Sequence, residues 1–167
     1  MNKREIITNS AEQTKKLGLE MAEKILSGEA KERVICLSGD LGAGKTTFTQ
    51  GLLEGLGAEG PFVSPTFMIM KQYKIPTINN KQQTTTRNKK TGLSVVSCRL
   101  SVLFHIDAYR VEAEDILELG WEEMISQSGN VIIVEWAERI ESLIPADAIW
   151  MEFEWKNEKE RIIRIKN

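Results

Sequence analysis

The chain has 167 residues, of which 41% are hydrophobic and 28% charged, and its formal net charge is −2. This composition is typical of one globular domain; no apolar run approaches the roughly 18 residues of a membrane span, and the N-terminus lacks the apolar segment of a signal peptide. The two cysteines, Cys36 and Cys98, lie far apart without metal-ligand spacing, so we expect reduced thiols in a cytoplasmic protein.

The first predicted elements are a strand and an amphipathic helix. "REII" (Arg4–Ile7) predicts the strand. Ser10, followed three residues later by Gln13, is typical of a capping box at a helix start. Apolar residues then recur at helical spacing as far as Gly28, which predicts that the helix ends there.

A buried strand, a glycine-rich loop and a second helix come next. "RVICLS" (Arg33–Ser38) is the short apolar run typical of a central parallel strand. The loop follows directly, and the helix after it is predicted to run through Leu56 and to end at Gly57. "TFMIMKQY" (Thr66–Tyr73) predicts another strand.

The second half of the chain continues the alternation of strands and helices. "SVVSCRLSVLFHID" (94–107) predicts a strand, residues Ala113–Ser126 a helix, and "NVIIVEW" (Asn130–Trp136) a further apolar strand. "AIWMEFEW" and "RIIRIK" alternate as the two strands of a closing hairpin. We therefore predict an α/β fold with a mostly parallel central sheet and a C-terminal antiparallel hairpin.

A polar, basic segment interrupts this pattern at Lys74–Gly92. It is rich in Asn, Gln, Thr and Lys, and we interpret it as a long loop or a disordered insertion. Seven of the 22 basic residues and none of the 24 acidic ones lie between Gly60 and Ile106. Such a segment could contact nucleic-acid phosphates or an acidic partner; a solvated loop without a partner remains the alternative.

The loop "GDLGAGKT" (Gly39–Thr46) matches the phosphate-loop pattern G-x-x-x-x-G-K-[ST] between a strand and a helix. Its glycines allow the backbone N–H groups to turn towards phosphate oxygens. Lys45 would reach the β- and γ-phosphates, Thr46 would bind Mg²⁺, and Thr47 could reach the α-phosphate. The pattern predicts a P-loop nucleoside triphosphatase, and hence a three-layer sandwich.

Two acids are candidates for the second half of the site. Glu135 ends the strand "VIIVEW" and Asp107 ends "LFHID", and the carboxyl ends of central strands form the ligand-binding rim of such sheets. Either acid could hold Mg²⁺ or orient the attacking water. The sequence does not decide which acid would hold the metal and which would orient the water.

Three other residues near the site have weaker signals. Thr66 in "SPTF" occupies the place where GTP-type switches sense the γ-phosphate, although a proline turn explains the motif equally well. We interpret His105, the single histidine, as a packed or hydrogen-bonded structural residue. Trp136 directly follows Glu135 and could help to fix that acid.

Five motifs in one order, "GDLGAGKTT", "SPTF", "HIDAYR", "ELG" and "VEWAER", resemble the TsaE (YjeE) family over nearly the whole chain. The resemblance implies a small ATP- and Mg²⁺-dependent ATPase with slow turnover, required for threonylcarbamoyladenosine (t6A) modification of tRNA adenosine 37. The implied partners are the threonylcarbamoyl-transferase subunit and its inactive paralogue, of TsaD and TsaB type. The ATPase would reset that complex between turnovers.

The resemblance also implies roles for individual residues. Thr46 and Glu135 would hold Mg²⁺, Asp107 would be a catalytic or metal-linked acid, and the segment around Ala11 would lie near the adenine. The phosphates would be held by Leu41, Gly42, Ala43, Gly44, Lys45 and Thr46. Two features depart from the family pattern: Ala137 replaces a proline, and the insertion at about 74–92 replaces a short hairpin.

Three other functions fit a phosphate loop. A small-molecule kinase could use the insertion as a lid, but only Arg87 lies within it to clamp a phosphoryl group. A GTP switch commonly carries N-K-x-D, and "NKQQ" and "NKKT" both lack the Asp. A nucleotide-bound adaptor would bind ATP without turnover. No arginine finger is obvious, with Arg110 and Arg139 as the candidates.

Overall fold

The computed structural model describes residues 4–75 and 100–166, so most of the basic insertion and residues 94–99 of a predicted strand lie outside it. The strands are β1 (Arg4–Thr8), β2 (Val34–Gly39), β3 (Met70–Lys74), β4 (Val102–Asp107), β5 (Val131–Glu135), β6 (Ile149–Trp155) and β7 (Arg161–Lys166). The helices are α1 (Ala11–Ser27), α2 (Lys45–Gly55), α3 (Ala113–Glu118) and α4 (Trp121–Ser126), with a 3-10 helix at Ala137–Leu143.

The described strands form one sheet in the order β1-β7-β6-β2-β5-β4-β3. The four central strands β6, β2, β5 and β4 are mutually parallel, whereas β1, β7 and β3 join by antiparallel pairing. The predicted fold class is therefore confirmed, including the antiparallel β6–β7 hairpin. Residues Val34–Leu37 and the whole of β5 are buried, as expected for strands covered on both faces.

Two apolar cores lie on opposite faces of the sheet, which makes the molecule three-layered. On one face α1 and α2 pack through Ile25, Phe48 and Leu52 against β2, β5 and β6. On the other face Trp121 of α4 and Ile140 of the 3-10 helix are among the side chains that pack against β2, β4 and β5. Within residues 4–75 and 100–166, no helix has both the length and the apolar composition needed to cross a bilayer.

The predicted signals at the ends of α1 are largely confirmed. Gln13 N–H donates to Ser10 Oγ over 3.2 Å, and Gly28 ends the helix with a left-handed φ of 77°. The Gln13 side chain completes a variant of the capping box, because its Oε1 accepts from Asn9 N–H at 2.7 Å rather than from Ser10 N–H.

Two predicted elements are wrong in detail. Residues 66–69 form a turn before β3: Met68 N–H donates to Pro65 O at 2.8 Å, and Ile69 adopts a left-handed φ of 65°, which a strand cannot contain. The predicted helix at Ala113–Ser126 is two helices, because Gly120 adopts a φ of 85° between them.

Candidate active site

The phosphate loop joins the end of β2 to the start of α2. Gly44 precedes the helix with a φ of 99°, and a Cβ added there would lie 3.3 Å from Thr14 Cγ2 of α1. Both features favour glycine at this position. Because the loop leads directly into α2, it lies at the positive N-terminal end of an 11-residue helix, where phosphate groups bind readily.

Lys45 is held inside the loop and is only 5% exposed. Its Nζ donates to Gly39 O and Asp40 O, each at 2.7 Å, and lies 3.6 Å from the centre of the Trp136 ring. Burial lowers the pKa of the Lys45 ammonium, whereas Glu135 and other nearby carboxylates act in the opposite direction. Two backbone carbonyls and the Trp136 ring thus hold the Lys45 Nζ at the loop.

Thr46 and Glu135 meet across the cleft. The Thr46 hydroxyl donates to Glu135 Oε2 at 2.8 Å, and Glu135 is only 2% exposed at the end of β5. The second carboxylate oxygen, Oε1, lies 2.8 Å from His105 Nε2. His105 is hydrogen-bonded, as expected, and its partner is one of the two candidate acids.

Asp107 lies beside Glu135 in the β4–β5 register but has a different set of partners. Ser64 and Thr66 hydroxyls both donate to Asp107 Oδ2 at 2.6 Å, and Tyr109 N–H donates to Oδ1 at 3.0 Å. The two acids predicted from strand ends are therefore neighbours, and each is bound to a different hydroxyl-bearing segment.

These side chains surround a cleft of about 320 Å³. Its lining residues are Leu41, Gly42, Gly44, Lys45, Thr46, Thr47, Ser64, Thr66, Asp107, Tyr109, Glu135 and Trp136. The structure thus brings together most of the predicted site residues. Ala43 is buried beneath the loop, and Ala11 lies outside the cleft at the start of α1, the helix whose Thr14 adjoins Gly44.

Two lining residues, Ser64 and Tyr109, were not among the predicted site residues; they lie inside the quoted motifs "SPTF" and "HIDAYR", which were the available signals. Trp136, which the sequence led us to expect beside Glu135, also lines the cleft. Trp136 adopts a left-handed φ of 61°, and its ring lies 4.9 Å from that of Tyr109. The two rings form an aromatic wall next to Lys45.

Neither candidate arginine lines the cleft. The Arg110 guanidinium lies 5.2 Å from the centre of the Phe67 ring, and Arg139 forms a 3.0 Å ion pair with Glu112. Among the described residues, the positive charge in the cleft is that of Lys45.

The oxygen atoms of Thr46 and Glu135 suit Mg²⁺. This hard cation prefers oxygen ligands and is usually bound by one or two protein groups together with substrate phosphates and water. In the part of the chain that the structure describes, no three His, Cys, Asp or Glu side chains form a metal cluster on their own. One hydroxyl and one carboxylate beside a phosphate loop fit a metal whose coordination is completed by the nucleotide.

Comparison with known proteins gives concordant matches. The family model "Threonylcarbamoyl adenosine biosynthesis protein TsaE" matches residues 8–163. The tRNA threonylcarbamoyladenosine biosynthesis protein TsaE of Rickettsia felis is 30% identical over 162 residues, covering 96% of this chain and 78% of the relative. Its counterpart in Bacillus subtilis is 36% identical over 130 residues, covering 78% and 66%.

A solved structure agrees with the fold. The crystal structure of Bacillus subtilis YdiB aligns with a TM-score of 0.66 and 29% identity over 98% of this chain and 84% of that one. The family model spans both strand-end acids, the phosphate loop and most of the closing hairpin. The chain therefore belongs to the TsaE family.

Proposed function

We propose that this protein is a Mg²⁺-dependent ATPase that acts in t6A modification of tRNA. The observation that carries the proposal is the contact between Thr46 and Glu135 beside Lys45, because these residues supply a metal-binding pair and a phosphate-binding charge in one cleft. The biosynthetic role is supported by family membership and by the names of the relatives.

In this proposal, different residues of the cleft bind the phosphates, hold the metal and orient the attacking water. The N-terminus of α2 and Lys45 would bind the phosphates, and Mg²⁺, held by Thr46 and Glu135, would neutralise charge on the β- and γ-phosphate oxygens. Asp107 would orient the water that attacks the γ-phosphorus as the bond to the β,γ-bridging oxygen breaks. Ala43 and Thr47 would add backbone and hydroxyl contacts, and the segment around Ala11 would lie on the adenine side.

The proposal includes partners and a place. Hydrolysis would reset a complex with the threonylcarbamoyl-transferase subunit and its inactive paralogue, in the cytoplasm where tRNA is modified. Thr66 would report the nucleotide state, because its hydroxyl is bound to Asp107 and would respond to changes at that acid. The basic segment around 74–92 would contact tRNA or an acidic partner surface.

The test is release of labelled phosphate from γ-³²P-ATP with Mg²⁺ and with EDTA, alone and with the two partner proteins. We expect Mg²⁺-dependent release of free phosphate, slow for the protein alone and faster in the complex. Transfer of label to a metabolite would instead support the small-molecule kinase, and preference for GTP would contradict the ATPase.

A matched pair of variants sharpens the test. Glu135→Gln keeps the shape of the side chain but removes its charge, and we expect turnover to fall by about 10²-fold or more, as when other groups that stabilise transition-state charge are removed. Glu141→Gln changes an exposed acid on the adjacent 3-10 helix and should leave turnover unchanged. Wild-type turnover in Glu135→Gln would refute the metal assignment.

A further inference from the structure

His105 lies in the middle of β4 and is almost fully enclosed, with 1% of its surface exposed. Along a strand, alternate side chains share a face, so His105 lies on the same face as Asp107 and Leu103. Its Nε2 is 2.8 Å from Glu135 Oε1. The imidazole therefore contacts the proposed Mg²⁺ ligand from the side of the protein core.

The two oxygens of Glu135 are held by groups from different elements. Oε2 accepts from Thr46 of α2, which lines the cleft, whereas Oε1 faces the buried His105 of β4. The terminal torsion of a glutamate is intrinsically broad, so packing alone does not set the plane of its carboxylate. Two hydrogen bonds, one on each oxygen, define that plane.

The surroundings of His105 Nδ1 indicate which of the two ring nitrogens carries the hydrogen. Nδ1 is buried, and among residues 4–75 and 100–166 it has no hydrogen-bond partner. A hydrogen on Nδ1 would be an unpaired buried donor and would leave Nε2 facing a carboxylate with a lone pair, which is repulsive. The hydrogen therefore belongs on Nε2, where it is donated to Glu135.

We propose that His105 is a positioning residue that fixes the Glu135 carboxylate so that Oε2 is presented beside the Thr46 hydroxyl for Mg²⁺. The inference rests on the proposed Mg²⁺-dependent ATPase function. Hydrogen-bond partners of metal ligands commonly change metal affinity by about 10–100-fold when they are removed. His105 is not among the residues that line the cleft, so it acts through Glu135.

The variants separate positioning from packing. His105→Leu fills the space without a donor, and His105→Gln can offer an amide N–H near the position of Nε2. Leu103→Val alters a buried side chain on the same face of β4 that pairs with Val131 rather than with Glu135, and is the packing control. Thermal unfolding of all three variants reports how far each change destabilises the fold.

The main readout is the Mg²⁺ concentration that half-saturates binding of a fluorescent ATP analogue. We expect His105→Leu to raise that concentration about tenfold or more, His105→Gln to restore it to within about threefold of wild type, and Leu103→Val to leave it unchanged. Nucleotide binding in EDTA should be equal in all four proteins, because it depends on the phosphate loop. The inference would be overturned if His105→Leu required the same Mg²⁺ concentration as wild type. It would also be overturned if His105→Gln required as much Mg²⁺ as His105→Leu.

A spectroscopic measurement on the unaltered protein keeps the inference testable if the variants do not fold. His105 is the single histidine, so its ¹⁵N ring signals in a histidine-labelled sample need no assignment. We expect protonated Nε2 and unprotonated Nδ1, and a shift of the Nε2–H signal when Mg²⁺ is added to the ADP complex. Protonation on Nδ1 alone would contradict the inference. Absence of any Mg²⁺ dependence in wild-type turnover would instead refute the proposed function.

Discussion

Asp107 and Glu135 lie at adjacent strand ends but are bound by different parts of the chain. Glu135 is hydrogen-bonded to Thr46 of the phosphate-loop helix, whereas Asp107 is bound to Ser64 and Thr66 of the loop before β3. This difference supports metal binding by Glu135 and a separate role for Asp107 that depends on the 64–66 loop.

Removing the Thr66 hydroxyl should therefore impair turnover. A hydrogen bond to a charged group contributes about 1.5–3 kcal/mol, so we expect Thr66→Val to lower the rate of ATP hydrolysis by about tenfold or more through loss of order at Asp107. Nucleotide affinity should change little, because the loop 64–66 is separate from the phosphate loop. Single-turnover hydrolysis and equilibrium ATP binding measure the two effects.

Thr66→Ser is the matched control, since it keeps the hydroxyl and removes only a methyl group. It should retain most of the wild-type rate. If Thr66→Val hydrolysed ATP as fast as wild type, the hydroxyl would have no part in the reaction, and Ser64 alone would suffice to hold Asp107.

Sequence motifs predicted the residues of the cleft better than their contacts. The phosphate-loop pattern led to Lys45 and Thr46, and the strand-end rule led to both acids. The bond between His105 and Glu135 joins residues 30 apart, and that between Ser64 and Asp107 joins residues 43 apart. Such contacts depend on how strands align, which a single sequence does not specify.

At the level of elements, α1 and α2 pack unusually closely through glycines. A Cβ added to Gly51 would lie 2.0 Å from Lys15 O, and one added to Gly18 would lie 2.2 Å from Phe48 O. In both cases the added Cβ would clash with a backbone oxygen, and a backbone oxygen cannot move aside unless its helix moves. The helix that follows the phosphate loop is thereby held directly against α1.

Gly51→Ala should therefore destabilise the protein, although alanine is the better helix former by roughly 0.5–1 kcal/mol. Overpacking typically costs about 1–3 kcal/mol, and we expect a loss of at least about 2 kcal/mol in the free energy of unfolding because the clash is with backbone. Urea unfolding of wild type and Gly51→Ala measures this difference in the free energy of unfolding.

Glu23→Ala, on the exposed side of α1, serves as the control and should change stability by less than about 0.5 kcal/mol. A Gly51→Ala variant as stable as wild type would mean that α1 and α2 separate easily.

The elements best predicted from sequence were those with a continuous local signal. β2 and β5 are short apolar runs, and the ends of α1 carry capping residues. The turn at 66–69 was missed because its apolar letters resemble a strand, while the hydroxyl of Thr66 is bound to Asp107 and Ile69 is left-handed. The antiparallel pairing of β1 with β7 is a long-range contact with no local signature.

For the molecule as a whole, Cys36 reports on the integrity of the fold. It lies in the centre of β2 with no exposed surface, and burial raises the pKa of its thiol from 9.0 to about 12. The folded state therefore favours the neutral thiol. The resulting stabilisation is fully present below pH 9 and is lost as the pH rises towards 12.

We expect two outcomes in a Cys98→Ser background, where Cys36 is the remaining thiol. A thiol reagent at neutral pH should label Cys36 only as fast as the protein unfolds. The free energy of unfolding should also fall more steeply between pH 9 and 10.5 than in a matched Cys36→Ala protein. Equal slopes, or rapid labelling of the native state, would contradict the burial of this side chain.

The pairing of β1 with β7 also bears on how the protein is made. Glu5 of β1 and Arg164 of β7 are 159 positions apart and form a 3.0 Å ion pair. On a ribosome, β1 emerges early but has no strand beside it until β7 has been synthesised. Thr8 of β1 binds Thr14, the residue next to Gly44 of the phosphate loop. A nascent chain thus acquires the outer support of its phosphate loop only after β7 has been synthesised, so the cleft is not fully formed until the sheet is complete.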